Sequence, residues 1–278
     1  MKTFISFGVL ALVAACLSSC GSGGNLTKDL GSVVGEFQVL DLASGQVESR
    51  VVIVDLDTNP VYRSSKMVFR AVSGGSGAVG SVSTDFGAQS DEIPKSSVTL
   101  SRYYLGVYEV TRDQWNILAG TTPWTNGSFS GLVGTADGGK PACGMSRDDL
   151  TTALNTWNVS RPYDLGLPTE SQWEFACRAG QSTSFSWGES RSDAVVDDYA
   201  VVSETAGGVT GPRAVGGRVP NAFGLFDMHG NVWEFTSSGN IRGGSWRDSL
   251  PMARSANRKV LDQITGHPLV GLRLILSL

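Results

Sequence analysis

From Gly180 to Leu278 the sequence never sustains a helical or a strand period. Aromatic and glycine residues alternate there with polar ones, and only Arg273-Leu274-Ile275-Leu276 reads as a strand. Structureless stretches beyond about 15 residues are uncommon inside a compact domain and need something to hold them. A bound metal, a disulfide or a binding surface would each do so. A chain with such a half is expected to be loop-rich and fastened by large side chains rather than by long helices. Its 35 glycines and 7 tryptophans suit that expectation.

The regular elements lie before Gly180. Thr111 and Thr169 each stand three residues ahead of a glutamine, Gln114 and Gln172, the spacing of a capping box. Ser146 opens a third helix between them. Trp115 and Leu118 share a face of the first helix, which Gly120 is expected to stop. Leu150, Ala153, Leu154 and Trp157 fall at i, i+3, i+4 and i+7, one apolar stripe along the second. Trp173, Ala176 and Cys177 share a face of the last, with Gly180 as its expected end. Helices of about three turns gain most of their stability from packing. Residues 35–65 read as an N-terminal strand extension. Val51 to Val54 and Met67 to Val72 look like strands, separated by the turn Asp57-Thr58-Asn59-Pro60. The glycine-rich run Gly74 to Gly80 lacks the Gly-Lys-Ser/Thr ending and the following helix of a phosphate loop, so no nucleotide role is expected.

The first residues predict processing and an anchor. Met1-Lys2 precedes an apolar run from Phe4 to Leu17. The run falls short of the ~20 apolar residues that cross a bilayer and suits a signal-peptide core. Leu17-Ser18-Ser19-Cys20 resembles a bacterial lipobox. Residues 1–19 are therefore expected to be removed and the Cys20 thiol to carry a diacylglycerol; the alternative is an ordinary signal peptide cut near Ala15 or Cys16. Residues 20–34, opening with Gly21-Ser22-Gly23-Gly24, read as a flexible tether. Gly21 in place of an aspartate points, by analogy with Gram-negative sorting, to the outer membrane of a bacterial cell envelope. The expected partners are the membrane, through the lipid, and a cell-envelope protein. A net charge of −4 without any basic run argues against nucleic acid. Of 4 cysteines, Cys143 and Cys177 remain after processing and lipidation. They are expected to form a disulfide; the alternative is two buried small side chains.

Five segments in order carry a family resemblance. They are Tyr104-Leu105-Gly106-Val107-Tyr108-Glu109-Val110-Thr111, Leu167-Pro168-Thr169-Glu170-Ser171-Gln172-Trp173-Glu174-Phe175-Ala176, Asn221 through Phe235, Arg242-Gly243-Gly244-Ser245-Trp246, and Gly271-Leu272-Arg273-Leu274. Together they resemble the formylglycine-generating enzyme (sulfatase-modifying factor) family over residues 66–278. The resemblance implies one α+β domain, C-type-lectin-like in shape, with little regular secondary structure.

It also implies what to look for. Enzymes of the family oxidise a substrate cysteine with copper and oxygen, using two cysteines after the Gly-Gly-Ser-aromatic motif. Here Trp246 to Arg258 contains no cysteine, and Asp248 stands where the first thiol belongs. Carboxylate and thioether do not replace a bis-thiolate copper site, so copper is not expected. Relatives with iron-dependent sulfur chemistry use histidines of a partner domain; this chain has His229 and His267, and His229 is expected to be a solvated loop residue. The family's calcium positions fall on the Asp227 and Glu234 carboxylates and the carbonyls of Gly230 and Val232, so a structural calcium ion is expected. The alternative is that the two carboxylates accept loop N–H groups. Ser245, matching the family's active-site serine, is a groove candidate together with Trp233 and Asp248. Arg242, Arg254, Arg258 and Arg273 either bind carboxylates or sugars or brace loops. The reading that follows is a lipid-anchored, non-catalytic scaffold or binding module. The alternatives are an oxidase-like enzyme acting on exported sulfatases and a lectin-like carbohydrate-binding module.

Overall fold

A computed structural model describes residues 33–159, 161–205, 207, 208, 210–261 and 265–278. The expected signal peptide, the Cys20 anchor and residues 20–32 of the expected tether lie outside the described residues. Strand β1 (Val33–Asp41) starts two residues inside that tether, and a turn leads to β2 (Val47–Ile53). Then come β3 (Lys66–Val72) and the hairpin of β4 (Gly75–Val79) with β5 (Ser96–Leu100). The glycine-rich run is thus a strand, not a loop. Next are β6 (Tyr103–Gly106), α1 (Arg112–Ala119), α2 (Gly127–Val133) and α3 (Arg147–Asn158). They are followed by β7 (Asp164–Gly166), α4 (Glu170–Arg178) and α5 (Asp193–Tyr199). The last part holds the short strands β8 (Trp233–Phe235), β9 (Asn240–Arg242), β10 (Arg258–Val260), β11 (Val270–Gly271) and β12 (Ile275–Ser277), with a 3-10 turn at Leu250–Ala253.

Six strands form the main sheet in the order β2-β1-β3-β6-β12-β7, and four form a second in the order β10-β9-β8-β11. Residues 35–65 are therefore joined to the main sheet through the β1–β3 ladder. The last strand returns between β6 and β7, which ties the irregular half to the first half.

All three expected caps form. Thr111, Ser146 and Thr169 each accept from the backbone N–H three residues on, and the third residue returns the bond. Gly120 closes α1 in the left-handed region at φ 65°. In α4 that conformation falls on Ala179 at φ 47°, one residue before the expected Gly180. A methyl group in the left-handed region is tolerated where packing over-determines it, and Ala179 is buried.

Trp115, Trp157, Trp233 and Phe235 centre the largest apolar cluster, between α1, α3 and the second sheet. Trp173, Cys177, Leu105 and Met228 form another under α4. Full burial of one such side chain stabilises by roughly 1.5–3 kcal/mol, which is how so little regular structure is held. The expected Cys143–Cys177 disulfide is absent. Both are buried free thiols, and they belong to different clusters. Cys177 instead faces Ser255 Oγ at 3.5 Å and the Met228 carbonyl at 3.6 Å.

Candidate functional site

The central loop between Asn221 and Phe235 passes four times through the left-handed region, at Gly224 (φ 77°), Asp227 (φ 56°), Gly230 (φ 86°) and Asn231 (φ 62°). At Gly230 a Cβ would meet the Val201 carbonyl oxygen at 2.0 Å, so only glycine fits. These turns aim the loop's polar groups inward. Asp227 accepts the Gly216 N–H at 2.6 Å. Asn231 donates to Glu109 Oε2 at 2.5 Å, and the Val232 N–H donates to Glu109 Oε1 at 3.1 Å. Glu234 receives the Arg273 guanidinium on both oxygens, at 2.9 to 3.1 Å, and the Trp173 indole N–H on Oε2 at 2.6 Å.

That arrangement tests the calcium expectation. A carboxylate has about four lone-pair sites, and Glu234 already accepts four N–H contacts. Arg273 also holds the carbonyls of Gly106, Val107 and Phe226 at 2.7 to 2.9 Å. A cation would have to displace this fork before Glu234 could ligate. As arranged, Asp227, Gly230, Val232 and Glu234 do not fit a calcium ion: both carboxylates accept N–H groups.

Glu109, Asp227 and Glu234 are all buried, and the Arg273 guanidinium bonds to Glu234. Burial raises the Glu109 carboxyl well above its usual range, and the neighbouring Asp227 and Glu234 add to the rise. Burial alone would lower the Arg273 guanidinium, but Glu234, with Glu109 and Asp227, outweighs it and the net shift is upward.

The second group is Ser245, Trp233 and Asp248. Two glycines with positive φ, Gly243 and Gly244, swing the chain so that Ser245 turns inward. The Ser245 hydroxyl donates to Asp248 Oδ2, and the Trp233 indole donates to the same oxygen at 2.8 Å. The structure thus brings all three sequence candidates together. Ser245 and Trp233, however, are buried instead of lining an open groove. The hydroxyl partner of Ser245 is the Asp248 carboxylate, and no imidazole among the described residues bonds to it, so the arrangement is not a Ser-His-Asp triad.

His229 overturns the expectation of a solvated loop residue, since it is only 2% exposed. The Ser186 N–H donates to Nε2 at 3.2 Å, so that nitrogen is unprotonated and Nδ1 carries the proton to the Ala253 carbonyl at 2.7 Å. Burial lowers its pKa to about 4. The ring is neutral at neutral pH, wedged against Trp187 at 4.7 Å and Phe185 at 5.8 Å. His267 is half-buried elsewhere, bonded by the Leu269 N–H at 3.2 Å. Burial raises the thiols of Cys143 and Cys177 to about 11 and about 12. Neither offers a thiolate near neutrality.

Residues 54–278 match the sulfatase-modifying factor enzyme 1-like domain family. The chain belongs to that family. It is 24% identical over 194 residues to the formylglycine-generating enzyme of Bos taurus, covering 54% of this chain and 52% of that protein. It is 30% identical over 132 residues to the inactive C-alpha-formylglycine-generating enzyme 2 of Bos taurus, covering 41% and 44%. The chain thus spans about half the length of the curated relatives it matches. PvdO from Pseudomonas aeruginosa shares the fold, with a TM-score of 0.66, 22% identity and coverage of 76% of this chain and 94% of that one.

Within this sulfatase-modifying-factor-like domain, the late arginines brace loops. Arg242 donates to Glu174 at 2.5 Å and to the Ala256 carbonyl at 2.8 Å. Arg254 grips both Glu92 oxygens at 2.7 Å, and Arg258 reaches Glu170 at 2.8 Å. A polar cleft of about 320 Å³ is lined by Glu170, Glu174, Arg242 and Arg258; those four charges already pair with one another. Sequence reasoning missed Glu109, Glu92 and Asn231. Glu109 carried a signal, a carboxylate enclosed by Val107, Tyr108 and Val110 in a strand-like run. Glu92 carried none, because its partner lies 162 positions away.

Proposed function

We propose that the chain is a non-catalytic, lipid-anchored binding or scaffold module of the bacterial cell envelope, built on a sulfatase-modifying-factor-like domain. One observation carries the reading. Where the resemblance calls for a reactive thiol, Asp248 sits instead, and its Oδ2 is closed off by Ser245 and Trp233. The thiols among the described residues, Cys143 and Cys177, are buried and protonated. A soft copper ion needs thiolates, and the carboxylate here already has two donors. The name of the bovine inactive relative is consistent with a fold that outlives the oxidation chemistry.

The test is oxygen-dependent conversion of a cysteine-containing sulfatase peptide by the copper-treated full chain, followed by peptide mass. No conversion is expected, with a formylglycine-generating enzyme run in parallel as the positive control. Conversion above the rate of copper alone would refute the non-catalytic reading. The anchor is read from the mass of the N-terminal peptide of membrane-extracted protein. A diacylglyceryl adduct on Cys20 supports the reading, and an unmodified Cys20 would remove it.

A further inference from the structure

Strand β2 lies at an open edge of the main sheet. Among the described residues its backbone pairs with β1 alone. An exposed strand edge is a template for another strand, and folded proteins usually guard one with proline, lysine, a bulge or a covering loop. β2 contains neither proline nor lysine. Val51 is 71% exposed, and Val54, just past its end, is 65% exposed.

The sequence of this edge says what covers it. Val47-Glu48-Ser49-Arg50-Val51 is its own complement when a second copy runs antiparallel to it. With a two-fold axis through Ser49, Glu48 faces the partner copy's position 50, an arginine, and Arg50 faces the partner copy's position 48, a glutamate. On the opposite side of the sheet, Val47 faces the partner copy's position 51, a valine, and the reverse pair repeats the contact. Alternation along a strand puts the charged pairs on one side and the valine pairs on the other. Directly opposed charges of unlike sign and opposed β-branched residues both favour pairing, and like charges oppose it. A shift of the axis by one residue along the strand loses the match: an axis at Glu48 sets Glu48 against Glu48, and one at Arg50 sets Arg50 against Arg50. Within one chain Glu48 and Arg50 already pair at 2.8 Å, so the four charges of a dimer would close into a ring.

We infer that β2 is a homodimerisation edge, at which two copies of this chain pair antiparallel about Ser49 and join their main sheets into one. Pairing of this kind buries less surface than the ~1,600 Å² of a standard stable interface, so the dimer is reversible and concentration-dependent.

The experiment uses the full-length chain in mild detergent, with mass read by sedimentation equilibrium. Wild type is expected to move from the protomer mass toward twice that mass as concentration rises. Glu48→Arg makes the edge doubly basic, and Arg50→Glu makes it doubly acidic. Each variant alone is expected to weaken dimerisation by about tenfold or more. An equimolar mixture of the two restores it, because every opposed pair is then unlike. That rescue distinguishes the dimer from a general effect of either mutation on folding. Ser49→Cys places two thiols on the axis, where opposed Cα atoms lie roughly 4.5–5.5 Å apart, within disulfide reach. Oxidation is expected to cross-link this variant well beyond the wild-type level. A wild type that stays monomeric across the concentration range, as it would if a different protein's strand occupied β2, overturns the inference. So does a mixture no more dimeric than its parts, or a Ser49→Cys variant that does not cross-link.

Discussion

Replacing Glu109 by glutamine removes one ionisable carboxyl from the buried hub. Glu109 is 0% exposed and shares its surroundings with the Asp227 and Glu234 carboxylates and the Arg273 guanidinium. Burial, and then the two neighbouring carboxylates, raise its carboxyl well above the ordinary 4.5. The folded protein therefore holds a proton at Glu109 that the unfolded chain releases. The stability tied to that proton is fully present below the unfolded pKa. It is lost as pH rises through the folded pKa, at up to about 1.4 kcal/mol per pH unit. Glutamine mimics the protonated form at every pH. It keeps one oxygen for the Val232 N–H and sets an amide NH₂ against Asn231, a pH-independent loss of about 1 kcal/mol. Urea unfolding followed by tryptophan fluorescence, at a series of pH values from about 5 to 8, gives both stabilities. Wild type minus Glu109→Gln is expected to fall across that series, by about 1.4 kcal/mol per unit while the folded state keeps the proton. Glu109→Gln is expected to become the more stable protein at the alkaline end. A flat difference, or one that grows with pH, would mean that Arg273 and Asn231 hold Glu109 ionised and that the charge argument is wrong.

Arg273→Met removes the guanidinium that bonds to Glu234 and frees the Gly106, Val107 and Phe226 carbonyls. Breaking a buried pair from one side costs about 3–5 kcal/mol, seen as a lower urea midpoint; the double variant Glu234→Gln/Arg273→Met is expected to recover part of that loss, and a single variant within about 1 kcal/mol of wild type would contradict the geometry. Calcium added to chelator-treated protein is expected to leave the melting temperature unchanged. An ion at a hundred times its Kd would add about 2.7 kcal/mol, and a rise of that order would mean that Glu234 releases Arg273 to ligate it.

What the sequence revealed depended on range. The capping boxes from Thr111 to Gln114 and Thr169 to Gln172 and the Ser146 cap were legible because each is complete within four residues; that Asp149 completes a box at Ser146 emerged only from the structure. Strand β1 was not, because a bulge between Val34 and Phe37 shifts its alternation by one residue. Helix α2 hides behind Gly127, Ser128, Ser130 and Gly131, weak helix formers, and stands on the Asn126 cap. His229 looked like a loop residue because Phe185 and Trp187, which bury it, lie more than forty positions upstream. The candidates Ser245, Trp233 and Asp248 were found together, but only through the resemblance; no local pattern shows that their polar atoms converge on one carboxylate oxygen.

The same geometry explains what the family signature specifies in this chain. Each segment that carries the resemblance contributes to a buried polar hub: Glu109 from the first, Trp173 and Glu174 from the second, Asn231 and Glu234 from the third, Arg242 and Arg273 from the last two. These groups satisfy one another across the fold, Trp173 with Glu234, Glu174 with Arg242, Glu109 with Asn231 and Glu234 with Arg273. Removing any one would leave a buried donor or charge unpaired, a loss of several kcal/mol out of the 5–15 or so that a domain has. The segment from Arg247 to Met252 is tied differently: Arg247 and Ser249 are exposed, Asp248 is half-buried under the Ser245 and Trp233 donors, and Leu250 is buried with its N–H on Glu204. Reactive residues there can be exchanged while the loops still close in one way. The signature shared with the enzymes therefore specifies how a loop-rich chain folds, and function has to be argued from the positions that the signature leaves free.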